Sequence, residues 1–131
     1  LISVDSSSPN DAQPEVEAIA RSMGLGGFGK HVLLCTGTEC ATSQIGMSAW
    51  DALKSGIKNA NLTKECFRTK VGCLRLCKNG PIAVVYPEGI WYHSMDEKGI
   101  PELISEHLIG NKIVKSKVIG RYPLTTSSPN S

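Results

Sequence analysis

His31-Val32-Leu33-Leu34-Cys35 is β-favouring and nearly all apolar, the pattern of a strand buried on both faces, and it delivers a cysteine at its exit. Downstream, Thr42 or Ser43 can cap a helix running to about Lys54. Its apolar positions Ile45, Ala49, Ala52 and Leu53 recur at helical spacing, and Gly56 is expected to stop it. Residues 61–70 then alternate, with Leu62, Cys66 and Phe67 facing inward and Lys64, Arg68 and Lys70 outward, which predicts a second strand. The resulting β-α-β unit calls for parallel strands joined by a right-handed crossover.

After a loop over 72–80, residues 81–86 and 90–93 read as strands flanking the turn Pro87-Glu88-Gly89, an antiparallel hairpin. A last helix is expected over 100–109, with Pro101 in its first turn, Gly110 as its cap, and Ile100, Leu103, Ile104 and Leu108 as its buried stripe. The order β-α-β-β-β-α with a mixed sheet is that of an α/β domain of thioredoxin-like type. Upstream, residues 15–23 can form a short helix with Val16, Ile19 and Ala20 on one side, ended by Gly24-Leu25-Gly26-Gly27. Residues 1–14 and 125–131 are rich in Ser, Pro and other small polar residues and read as flexible tails. The expected organisation is therefore 1–30 as a mostly flexible extension, 31–118 as the domain, and 119–131 as a C-terminal tail.

A chain of 131 residues supplies one core and not two. Its net charge of +2 argues against a nucleic-acid binder that relies on a large basic field. The longest apolar stretches are far short of a spanning segment, so a soluble protein with no direct membrane span is expected. Five cysteines with no signal-peptide core ahead of them make a poor secreted disulfide framework. Cysteines in close pairs inside the cell more often hold metal, which points to a bacterial cytoplasm or an organelle, either chloroplast stroma or mitochondrial matrix. A start at Leu1 would suit a removed transit peptide.

Cys35 and Cys40 are separated by four residues, Cys73 and Cys77 by three, and thirty-two residues lie between the pairs. The strand order puts both pairs on loops at corresponding ends of neighbouring strands, which is what a cluster bound by four thiolates needs. A 2Fe-2S rhomb has two irons, each asking for two close thiolates, so Cys35 with Cys40 and Cys73 with Cys77 are the expected ligand pairs. Gly37, Gly72 and Gly80 are expected to free the backbone to wrap closely, and Arg75 and Lys78 to favour the reduced state by their charge. Structural zinc is the lesser reading, because its knuckles use C-x2-C and none exists here. The missing C-x-x-C also speaks against a disulfide reductase, and the missing C-x2-C step after Cys40 excludes the plant-type ferredoxins. Cys66 reads as a buried small hydrophobe. His31, His93 and His107 are given surface or capping roles, and Trp91 and Tyr92 roles in packing. Lys64, Arg68, Lys70, Arg75 and Lys78 surround the second pair with only Glu65 to oppose them, which suggests a redox partner with an acidic docking face. Lys112, Lys115, Lys117 and Arg121 are expected to decorate a C-terminal extension.

Cys35-Thr36-Gly37-Thr38-Glu39-Cys40, Cys73-Leu74-Arg75-Leu76-Cys77-Lys78-Asn79-Gly80-Pro81 and Val84-Val85-Tyr86-Pro87-Glu88-Gly89-Ile90-Trp91-Tyr92 together resemble the thioredoxin-like 2Fe-2S ferredoxins. The pattern is also similar to the 2Fe-2S domain in the small flavoprotein-associated subunit of respiratory complex I and in electron-bifurcating hydrogenases. The resemblance covers about 31–118 and implies one surface 2Fe-2S cluster, low-potential one-electron transfer and, in several members, dimerisation. The four-residue first loop matches the complex-associated branch, whereas the helical N-terminal domain of those subunits does not precede residue 31 here. The expectation is a one-electron carrier or electron-transfer subunit without bond chemistry of its own, free-standing, homodimeric or part of a larger complex. The alternatives are an accessory subunit of a redox or photosynthetic complex, or an iron-sulfur biogenesis or sensor module. No nucleotide fingerprint, nucleophile with a base or acidic metal site suggests an enzyme.

Overall fold

The computed structural model describes residues 14–125 and shows a two-layer α/β domain. The expected tails at 1–13 and 126–131 lie outside the described residues. Helix α1 (Pro14–Met23) leads to β1 (Lys30–Cys35), α2 (Ser43–Asn59) and β2 (Cys66–Val71). Strands β3 (Ala83–Tyr86) and β4 (Ile90–Tyr92) follow, then α3 (Gly99–Glu102), which continues as a π-helical segment (Leu103–Ile109), and finally β5 (Val118–Arg121). The sheet order is β2-β1-β3-β4-β5, with β1 and β2 parallel and every other pair antiparallel. No helix among the described residues is long and apolar enough to cross a membrane.

The core lies on one face of the sheet. Val32 and Leu34 of β1, Ala83 and Val85 of β3 and Ile90 and Tyr92 of β4 point into it, met by Ala49, Trp50, Leu53 and Ile57 of α2 and by Ile100, Leu103, Ile104 and Leu108 of the last helix. That last stripe is the one the spacing predicts. On the opposite face of β1, His31 and Leu33 are only half-buried, so the strand is not sealed on both sides as its sequence suggests. One layer of helix covers the sheet, and the alternating β1 positions turned away from it stay partly open.

Helix α2 runs past Gly56 to Asn59. Gly56 lies against the last helix, where a Cβ would fall 2.1 Å from the Cδ1 tip of Ile104 and that side chain would have to turn aside. The helix ends instead at Asn61, whose φ of 59° lets the Leu62 N–H return to the Ile57 carbonyl at 2.9 Å. Its buried stripe is Gly46, Ala49, Trp50, Leu53 and Ile57, leaving Ile45 exposed. The expected strand over 61–70 is correspondingly shorter at its start, because 61–65 are consumed by this turn and pairing with β1 begins at Cys66.

Strand β5 was not foreseen, and the expected tail from 119 begins inside it. Its pairing with β4 is irregular at Trp91 and Tyr92, and its four residues alternate weakly, so it carries little periodic signal. Lys117 is no mere decoration either: its Nζ donates to Glu102 Oε1 at 2.8 Å, tying the approach to β5 onto the last helix.

Candidate metal centre

Because β1 and β2 are parallel and Cys35 is in register with Val71, both strands release their chains at the same edge of the sheet. The Thr36 N–H donates to the Val71 carbonyl at 2.9 Å and the Cys35 N–H to the Ile82 carbonyl at 2.9 Å, which fixes the roots of the two loops. The first loop carries Cys35 and Cys40, the second Cys73 and Cys77. Cys35 is buried, Cys40 half-buried, and Cys73 and Cys77 exposed, so the group opens to the surface on the side of the second loop.

The two loops face each other, Cys40 Sγ donating to the Leu76 carbonyl at 3.6 Å. Cys73 and Cys77 Sγ are 3.9 Å apart, and Cys40 is within hydrogen-bonding reach of Cys35. Burial together with the Cys35 thiol pushes Cys40 up to about 11, with further repulsion from Cys77 and partial relief from the backbone at Ile82. Cys77 is raised as well, chiefly by its hydrogen bond with Cys73 and in smaller part by Cys35 across the loops. Cys40 and Cys77, both made harder to ionise by their surroundings, suit a site completed by a positive centre. Two thiolates on one tetrahedral metal at about 2.3 Å stand about 3.8 Å apart, close to the spacing of the second pair. Among the described residues no group of three or more His, Cys, Asp or Glu side chains is gathered tightly enough for a single metal ion, and the cysteines stand as two pairs. The donor set thus fits a two-iron cluster.

The glycines act by closeness more than by freedom of φ. A Cβ on Gly37 would lie 2.0 Å from the Gly72 carbonyl oxygen, and one on Gly80 would lie 2.5 Å from the Cys40 carbonyl oxygen, whereas one on Gly72 would meet nothing. The left-handed conformations fall on Arg75 (φ 69°) and Asn79 (φ 56°), which sequence reasoning missed because neither is glycine. At Arg75 that conformation aims its N–H at Cys73 Sγ, 3.1 Å away, and a donor on a ligand sulfur raises a reduction potential.

The remaining candidates lie elsewhere. Cys66 is buried in the core under α2, as expected. His31 pairs with Thr69 Oγ1 at 2.7 Å and His93 with Ser94 Oγ at 2.9 Å. His107 is not a surface residue. It is 3% exposed, accepts from Tyr92 Oη at Nδ1 (2.7 Å) and donates from Nε2 to Glu88 Oε2 (3.0 Å), while Lys30 pairs with the same carboxylate. The π-helical segment carries it inward among Leu103, Ile104 and Leu108.

No protein-family model matches the chain. A Priestia megaterium protein named as a 2Fe-2S ferredoxin is 35% identical over 98 residues, 75% of this chain and 76% of that protein. The chain belongs to the 2Fe-2S ferredoxins. A second member, the 2Fe-2S ferredoxin of Clostridium pasteurianum, is 27% identical over 65% of this chain and 90% of its own. The thioredoxin-like [2Fe-2S] ferredoxin of Aquifex aeolicus superposes with a TM-score of 0.66 at 26% identity, covering 77% of this chain and 99% of that one. As a ferredoxin of this thioredoxin-like kind, the protein is an electron carrier rather than an enzyme, with one 2Fe-2S cluster per chain as its cofactor.

Proposed function

We propose that Cys35 and Cys40 hold one iron of the cluster and Cys73 and Cys77 the other, and that this ferredoxin passes single electrons at low potential to a redox protein with an acidic docking face. The observation that supports the ligand assignment is the placing of two cysteine pairs on facing loops that leave adjacent parallel strands at one end of the sheet, with Cys40 Sγ reaching the Leu76 carbonyl at 3.6 Å. When bound, the cluster supplies a one-electron couple; the chain's own residues position and tune it. Cys35, anchored at the end of β1 and buried, fixes the inner side of the site, while the exposed second loop faces outward to the partner. The Arg75 N–H on Cys73 Sγ and the positive charges of Arg75 and Lys78 favour the reduced state. Those two exposed cations give an acidic partner its point of contact. Cysteines that serve as iron ligands suit a reducing compartment, the cytoplasm or an organelle interior.

Electron paramagnetic resonance of anaerobically purified protein before and after dithionite, with iron and zinc analysis of the same sample, tests the cofactor. The expected result is a silent oxidised state and a spin-half signal on reduction, with two irons per chain. The same measurement on Cys35→Ser, Cys40→Ser, Cys73→Ser and Cys77→Ser tests the ligands, each of which should lose or alter the signal. One zinc per chain without a signal would overturn the reading.

A further inference from the structure

We infer that the basic groove between α2 and the outer strand β2 docks an acidic segment of the electron-transfer partner, a stretch of protein carrying several Asp or Glu carboxylates. This rests on the function proposed above and gives its partner a second, distinct place of contact.

The two elements send their cations to one indole. Lys54 Nζ of α2, Arg68 Cζ and Lys70 Nζ of β2 lie 5.7, 5.8 and 5.9 Å from the centre of the Trp50 ring. The ring, 8% exposed, holds them in place through its negative face but does not neutralise them. Beside them an open groove of about 400 Å³ is lined by the cations Lys54, Lys58 and Arg68, by Ser55 and Thr63, and by Ile57 and Cys66. Asp51, 3.7 Å from Lys54, is the carboxylate paired on this surface, and its side chain is 67% exposed. Among the described residues Lys58, Arg68 and Lys70 form no ion pair.

Position argues for the electron-transfer partner. Lys70 is in register with Leu34, one step before Val71 meets Cys35, so the cations lead along β2 toward the ligand loops. The groove itself lies at the other end of β2, where Cys66 pairs with Lys30, so a segment with carboxylates on Lys58, Arg68 and Lys70 in turn would span the strand from the groove to the ligand loops. The cations are spread along two elements instead of converging on one point, which suits a row of carboxylates better than a single phosphate. With a chain net charge of only +2, recognition must come from this local row and not from a general field.

The test uses the holoprotein and a dye-labelled peptide of eight glutamates, followed by fluorescence anisotropy at low and high salt. The peptide should bind at low salt and be released as salt rises. Arg68→Glu with Lys70→Glu, and separately Lys54→Glu with Lys58→Glu, should each weaken binding by about tenfold or more, while Lys112→Glu with Lys115→Glu should change it by less than about twofold. Iron content and the reduced-state spectrum of every variant are measured alongside. Loss of the cluster in wild-type protein would strike at the proposed function; a full cluster with unchanged peptide binding in both groove variants overturns the groove alone. So does binding lost only in Arg75→Glu with Lys78→Glu, or a groove that takes inorganic tripolyphosphate and refuses the peptide.

Discussion

Gly37 and Gly72 mark one close approach of the two ligand loops, and they should respond to the same substitution in opposite ways. A methyl at Gly37 would sit 2.0 Å from the Gly72 carbonyl oxygen and 3.2 Å from its carbon. An ordinary carbon-oxygen contact is about 3.2 Å, so the loops would have to part by roughly 1 Å, and the obstacle is backbone that cannot rotate aside. Overpacking of this kind costs about 1–3 kcal/mol. Here the strain also separates the pair on the first loop from the pair on the second, so part of the cost should appear as weakened cluster binding. At Gly72 the same methyl would meet nothing within 4 Å. Gly37→Ala should lower the melting temperature of the holoprotein by about 10 °C, taking roughly 4 °C for each kcal/mol, and reduce iron per chain after gel filtration. Gly72→Ala should retain two irons and the parent spectrum. Calorimetry and iron analysis on the pair decide the matter: a Gly37→Ala protein with full iron and an unmoved melting temperature, or a Gly72→Ala protein that loses its cluster, would refute the idea that close approach of these loops builds the site.

Cys73→Ser and Cys77→Ser should abolish or strongly alter the reduced-state resonance, and Cys66→Ser, buried beneath α2, should leave it intact; the reverse pattern would reassign the ligands. Chelated apoprotein should melt well below the holoprotein, because the loops draw part of their order from the metal, and equal melting would contradict this. Tyr92→Phe removes both the acceptor for the Val114 N–H and the donor to His107, leaving two buried groups unpaired, so urea denaturation should show a loss of about 2 kcal/mol at unchanged slope. Acid should destabilise the fold in two stages. Burial holds His107 below its ordinary 6.5 despite the Glu88 carboxylate beside it, so as pH falls past 6.5 the unfolded chain takes up a proton that the folded chain refuses, and stability is lost until the folded pKa is reached. Burial alone would raise Glu88, but the hydrogen bonds from Lys30 and His107 prevail and hold it down to about 2, so a further loss on the order of 3 kcal/mol accrues between pH 4.5 and about 2. Glu88→Gln should flatten the lower stage in pH-dependent urea titrations; an unchanged slope there would show that the network contributes nothing.

What could be read from the sequence is what local spacing encodes. The cysteine pairs, the β-α-β unit, the hairpin about Pro87-Glu88-Gly89 and the stripe of the last helix all declare themselves within a few residues. Contacts between distant elements do not. Gly56 reads as a stop because a glycine in a helix is costly, whereas in the fold it sits inside α2 against the tip of Ile104, a contact that local spacing does not announce. His107 looked like a surface residue because nothing nearby in the chain announces Tyr92 or Glu88 as its partners. Of the left-handed positions, Asn61 and Asn79 carry a residue type that favours that region but Arg75 gives no such signal, while Gly37 and Gly80 were needed for the space that a side chain would have taken.

The site depends on the parallel pairing of β1 and β2 more than on any one ligand. A hairpin between those strands would have released their loops at opposite ends of the sheet, with the two thiol pairs separated by the strand length. The crossover helix α2 returns the chain so that Val71 lies beside Cys35 and both loops open at one edge. The same helix carries Trp50, which gathers the cations of β2, so one connection assembles the ligand loops and lays the basic row that leads to them. The position of α2, packed on the last helix where Gly56 faces Ile104, therefore bears on both the thiols and the docking surface. A bulky residue at 56 should disturb cluster retention and peptide binding together, although it touches neither.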